Sequence, residues 1–165
     1  MSILQYRELF EYEIDCNQKM VLMLETVPQD RRTDPLFQRA VSIADHLIAC
    51  RNNWLIWMIK SDAQLAPWYD NKAKIEDLSA QFEEMHIAWS NYLGALTDEG
   101  LAEEMEIVDG VLFRWYIEGQ VIQLAEHAHY HRGQVTLIVD MLGGKVMDTD
   151  YADFGMSKNP RYGVI

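Results

Sequence analysis

Apolar residues return every three to four positions through most of the chain, and that period predicts four long helices. Over residues 3–26 the stripe is Ile3, Phe10, Ile14, Val21 and Leu24, interleaved with Glu and Gln. The run Pro28-Gln29-Asp30-Arg31-Arg32-Thr33-Asp34-Pro35 breaks it. Asp34-Pro35 has the form of an N-cap followed by a first-turn proline, so a second helix is expected over 35–59. Its stripe is Phe37, Ala40, Ile43, Ala44, Leu47, Leu55 and Met58. After a loop containing Ala66-Pro67-Trp68-Tyr69-Asp70-Asn71, Ile75, Leu78, Phe82, Met85, Trp89, Tyr92 and Leu93 come into phase over 75–96. The fourth helix is expected over 118–142, ending at Gly143-Gly144, a C-terminal stop signal.

Between the third and fourth helices the period changes. Residues 104–115 alternate on both sides of Asp109-Gly110, which predicts a short β-hairpin or extended excursion. The stretch 145–165 is turn-rich and polar, and is expected to be an irregular tail. The pattern as a whole predicts an all-α fold, a single domain over 1–165. Its architecture is a four-helix bundle with the excursion before the last helix. Functional sites in bundles are built from inward-facing side chains on adjacent helices, so candidate chemistry is sought there.

Charge narrows the partners. With 26 acidic against 14 basic residues the net charge is −12, and the basic residues are scattered, so phosphate neutralisation along a nucleic acid is disfavoured. No apolar stretch approaches the ~20 residues that span a bilayer, and the N-terminus has no basic leader followed by an apolar run. Cys16 and Cys50 form no spaced disulfide pattern. A soluble cytoplasmic protein is the expectation. The five tryptophans fall at helical spacing and are expected in the core, with Trp57 the exception to watch.

The histidines carry the sharper signal. On a helix, residues four apart differ by about 40° around the axis and residues two apart by about 200°. His127 and His131 therefore project together, and His129 points away. An i, i+4 imidazole pair can grip one ion, as in the HExxH helix; the glutamate of that protease motif is Ala128 here, so the protease reading fails. Two ligands leave a site incomplete. His46, mid-helix beside Ala44 and Leu47, is the candidate third ligand, or else a core histidine with its hydrogen bonds satisfied or an exposed one. Around His46 the spacing brings Cys50, Asn53 and Trp57 close to the same face. Cys50 reads as a ligand, a reactive thiol or a small buried side chain. Gln120, Leu124 and Gln134 share the His127/His131 stripe, and Gln134 is a candidate to orient an imidazole or bound water. Arg132 suits a surface or interhelical salt bridge, with anion binding the lesser alternative, and Gly133 a close approach of a neighbouring helix or chain.

The segment Glu126-His127-Ala128-His129-Tyr130-His131-Arg132-Gly133-Gln134 resembles the HxxxHRGQ signature of the DinB/YfiT-like metalloprotein superfamily. Ala44-Asp45-His46-Leu47-Ile48-Ala49 resembles that family's first-ligand helix, and the likeness spans nearly the whole chain. Glu126 stands where the family commonly has Asn. The resemblance implies one divalent ion, nickel or zinc with iron as a further option, on His46, His127 and His131. It further implies a homodimer and a metal-dependent enzyme that activates a low-molecular-weight thiol, or water, toward a small-molecule substrate. The alternative is a non-catalytic metal-binding stress-response protein. Three neutral imidazoles suit zinc, nickel or iron better than magnesium or calcium.

Overall fold

The computed structural model of the protein describes residues 1–70, 72–109 and 111–158, and several of its helix ends fall where local chemistry supplies a cap. Helix α1 covers Ile3–Glu25. Its first free N–H groups are satisfied by the Gln5 side chain, which accepts from Ser2 N at 2.8 Å, and by Asp98, which accepts from Ile3 N at 2.6 Å. A 3-10 turn at Gln29–Arg31 fills the break. Helix α2, Pro35–Met58, starts on Asp34, whose carboxylate accepts from Leu36 N at 2.9 Å, with proline as its first residue. Helix α3 spans Ile75–Ala95, and the short α4, Asp98–Leu101, follows where only a helix end was expected. Helix α5, Ile117–Met141, stops at Gly143, whose φ of +79° is the left-handed conformation that ends helices most cheaply at glycine.

The excursion is a hairpin. Strands β1 (Glu104–Asp109) and β2 (Val111–Tyr116) pair antiparallel, Met105 opposite Trp115 and Ile107 opposite Phe113. Gly110, the turn glycine of the sequence pattern, lies outside the described residues. Alternation turns Met105 and Ile107 inward, where both are buried, and leaves Glu104, Glu106 and Arg114 outward as a small ion-pair cluster.

The fold is mostly helical with this one two-stranded sheet. Helix α2 packs against α5 and α3, and α1 against α3 and α5. Trp89, Met20, Met23, Leu24, Ile43 and Leu124 are fully buried among them. No described helix is long and apolar enough to cross a membrane.

A polar layer runs through this core. Arg51 of α2 pairs with Glu13 of α1 through two contacts, one at 3.0 Å, and stacks its guanidinium 4.6 Å from the Trp89 ring centroid. Asn17 of α1 donates to His86 Nε2 at 3.1 Å and accepts from Arg132 at 3.2 Å. Arg132 thus corrects the salt-bridge expectation. It is a buried cation held by an amide, and its second terminal nitrogen has no partner among the described residues.

The tail corrects a second expectation. Residues 145–150 are irregular, but Tyr151–Lys158 forms helix α6. Phe154 buries itself on Tyr12 and Cys16 of α1, Tyr151 donates to Glu8 at 2.9 Å, and Lys158 pairs with Glu11 at 3.3 Å. One apolar anchor with flanking polar contacts suffices to order a turn-rich segment. Residues 159–165 lie outside the described set.

Candidate metal centre

His46 stands midway along α2, and His127 and His131 stand one turn apart on α5, the helix packed against it. One ring nitrogen from each of the three lies within 4.8 Å of the others. His46 Nε2 and His127 Nε2 are 3.3 Å apart. A tetrahedral ion with metal–nitrogen bonds of about 2.1 Å sets its ligands roughly 3.4 Å from one another, so the donor set fits a divalent ion. His46 and His131 are buried and His127 is half-buried, which leaves one side of the group open. His129 faces elsewhere, its ring 5.8 Å from that of Tyr12.

Two of the imidazoles are held from behind. His46 Nδ1 hydrogen-bonds the carbonyl oxygen of Trp68, and His131 Nδ1 donates to Gln134 Oε1 at 2.8 Å. Bonds of this kind keep the proton on Nδ1 and leave Nε2 as the lone-pair donor. The Tyr69 ring stacks on His46, fixing its plane. Burial, reinforced by His131 and His46, pushes His127 down to about 4. Burial also lowers His46, against the opposing pull of the Trp68 carbonyl. Both are therefore neutral at pH 7, the protonation state that binds metal.

The remaining candidates separate. Cys50 Sγ touches His46 Nε2 at 3.4 Å, but it is not among the converging donors. Burial pushes its thiol up to about 12, against the opposing influence of Arg51, so it is a protonated, small side chain. Asn53 faces the loop after α2, where its amide donates to Ala66 O at 2.9 Å and accepts from Ala66 N at 2.8 Å. It fixes the segment that carries Trp68 and Tyr69, and it does not line the pocket. Gly133 has no neighbour within 4 Å of where a Cβ would stand, so among the described residues no other helix approaches it closely.

Trp57 lines a cavity of about 430 Å³ together with Trp54, Trp68, Trp115, Gln120 and Gln123. Four of the five tryptophans gather there; Trp89 is fully buried, Trp54 and Trp57 are half-buried against the core, and Trp68 and Trp115 are exposed, which corrects the core expectation for those two. Gln123 is one turn before His127 and Trp54 two turns past His46, so the cavity continues the α2–α5 groove beyond the histidines, roughly 6–12 Å along it. Gly119 makes room for this wall: a Cβ there would sit 2.9 Å from Trp115 Nε1 and 2.6 Å from the Tyr116 ring. Trp68, Tyr69 and Trp115 were not singled out from sequence, because helical phase does not reach into a loop or a hairpin. The Pro67-Trp68-Tyr69 run, aromatic where turn chemistry is polar, was the available signal.

No curated protein and no solved structure matches the chain. The DinB family model matches residues 1–161. That span holds all four long helices, the hairpin and the three histidines, and the chain belongs to the DinB family.

Proposed function

We propose that His46, His127 and His131 bind one divalent ion, nickel or zinc with iron as a further option, within a DinB-type four-helix bundle. We propose further that the protein is a metal-dependent enzyme of the thiol-transferase kind, activating a small thiol, or water, toward a small electrophile. The observation that carries this is the convergence of three imidazoles, two with their Nδ1 positions already hydrogen-bonded. A divalent ion bound there supplies Lewis acidity, which lowers the pKa of a thiol or water without a protein base.

The chain's own residues do the rest. Trp68 and Gln134 hold the rings in the ligating tautomer, and Tyr69 keeps His46 from rotating. No carboxylate belongs to the converging group among the described residues. That suits a reaction in which the nucleophile is ionised by charge and not by a general base. The half-buried edge at His127 and the adjoining cavity offer a route for a small molecule. A homodimer belongs to the same proposal. Tyr130, Leu137 and Met141 lie exposed on one face of α5, apolar surface that a second copy would cover.

Elemental analysis of protein purified without added metal or chelating tag tests the centre: about one ion per chain is expected, and none in His131→Ala. Conjugation of a chromogenic electrophile with a panel of thiols, with and without nickel or zinc, tests the reaction. Turnover that is independent of metal and of His131 would overturn it.

A further inference from the structure

Metal binding makes no use of the tryptophan-lined cavity. Its indoles come from three separate parts of the chain, α2 (Trp54, Trp57), the loop after it (Trp68) and β2 (Trp115), and α5 adds Gln120 and Gln123. Trp68 and Trp115 are 38% and 45% exposed. Trp54 and Trp57 pack edge to face at 4.9 Å and Trp68 leans on Trp57 at 5.8 Å, so three indoles form one continuous wall, with Trp115 lining the same open space and the rings of Trp68 and Trp115 partly in water. Concentrated aromatic surface of that kind marks a binding site.

The electrostatics of the wall select the ligand. Arg114 is the one charged residue on it among the described residues, and its guanidinium is engaged by Glu106 at 2.9 Å and Glu104 at 3.7 Å. A carboxylate or phosphate finds no free cation there. An ammonium group finds indole faces but no carboxylate on the wall, and the nearby Glu104 and Glu106 are already engaged by Arg114. The wall therefore favours an uncharged group, and the flat indole faces favour a ring.

Two polar atoms set its orientation. Gln120 Nε2 donates to Gln123 Oε1 at 2.9 Å. Gln120 Oε1 and Gln123 Nε2 are left without partners among the described residues, one acceptor and one donor at the end of the cavity nearer His127. A ring bearing a hydroxyl or carbonyl satisfies them; a bare hydrocarbon does not.

We propose that this cavity binds an uncharged aromatic group of one or two rings carrying a hydroxyl or carbonyl, with its polar end directed along the α2–α5 groove toward the histidines. That this group is part of the substrate rests on the metal-enzyme reading above; that the cavity binds it does not.

The test is calorimetric titration of chelator-treated protein with three probes sharing one ring system: 2-naphthol, 2-naphthoate and (2-naphthylmethyl)trimethylammonium. Naphthol is expected to bind at least tenfold more tightly than either charged probe. Trp115→Ala, on an exposed strand, is expected to weaken it tenfold or more with the circular dichroism spectrum and thermal midpoint unchanged, and Trp57→Phe to retain most of the affinity. Equal or tighter binding of the anion or the cation overturns the proposal, as does no binding of naphthol, or binding that Trp115→Ala leaves intact. Because the protein is metal-free in this experiment, failure of the metal centre leaves the result standing. Failure here likewise leaves metal binding untouched.

Discussion

Tyr69 lies flat on His46, ring centroids 3.9 Å apart and planes within 3° of parallel. The tyrosine comes from the loop after α2, and Arg39 approaches the same ring at 5.3 Å. The loop therefore holds His46 twice, through this stack and through the Trp68 carbonyl.

Removing the stack should loosen the ligand without deleting it. Tyr69→Ala is expected to weaken nickel or zinc binding by about tenfold, the lower end of what an orienting contact behind a ligand contributes. Tyr69→Phe should bind as the parent does, since the ring and not the hydroxyl makes the contact. Chelator-competition titration measures both, and an unchanged affinity in the alanine variant would show that Trp68 alone orients the imidazole.

Cys50 is close enough to the centre to be mistaken for a ligand. Its sulfur reaches His46 but is not among the converging donors. Cys50→Ala is expected to bind metal within about twofold of the parent. Both cysteines are buried and should resist iodoacetamide at pH 8 in the folded protein, reacting only after denaturation. A metal affinity lowered by orders of magnitude in Cys50→Ala would make the sulfur a fourth ligand and close the coordination shell.

What could be read from sequence here depended on whether a relation lay along one element or across several. Phase on one helix is fixed by 3.6 residues per turn, so the pairing of His127 with His131 and the exclusion of His129 followed from spacing alone. Spacing could make His46 only a candidate, since the meeting of α2 and α5 depends on packing over the whole core; there the family resemblance was needed. Asn53 shared the His46 stripe, yet its amide is engaged by the Ala66 backbone, a demand set by a loop conformation that spacing does not encode. The indoles misled for a related reason. Trp54 and Trp57 have helical spacing, but the face they occupy looks onto a cavity shared by a loop, the hairpin and the start of α5 and is not closed over by another helix. Arg132 could not be foreseen as buried, because the asparagine that accepts its hydrogen bond is on α1, more than a hundred residues earlier.

The ion pair between Arg51 and Glu13 is enclosed by Phe10 and Trp89, so its two charges depend on each other. Arg51→Met leaves a buried carboxylate without a counter-charge and is expected to destabilise the fold by about 3–5 kcal/mol. The double variant Glu13→Leu/Arg51→Met removes both charges and should recover most of that loss. Urea unfolding of the two variants decides the matter. If the double variant is as unstable as the single one, packing around the guanidinium, including the contact with Trp89, is what the arginine contributes.

His86 gives the fold a dependence on acid that can be separated from the metal site. Its ring is buried between Phe10 and Phe82, accepts from Asn17, and has no partner for Nδ1 among the described residues. Burial pushes its pKa down to about 4; Glu13 opposes the shift and Arg51 adds to it. An unfolded chain protonates the same residue near 6.5. Between those two values the unfolded state holds the extra proton, so stability falls as the pH is lowered from about 6.5 toward 4. Above that window the residue contributes no pH dependence, and below it the loss is complete. The slope from one such group is at most about 1.4 kcal/mol per pH unit. His86→Gln retains an acceptor for Asn17 but removes the titrating ring, so its stability should fall less steeply than the parent's over this interval. Burial lowers His46, His127 and His129 as well, but these titrate in both proteins and cancel in the difference. The measurement is urea unfolding of chelator-treated parent and variant from pH 4 to 7. Parallel curves would mean that His86 takes up its proton in the folded state at its ordinary pH, and that the surrounding core admits the charge.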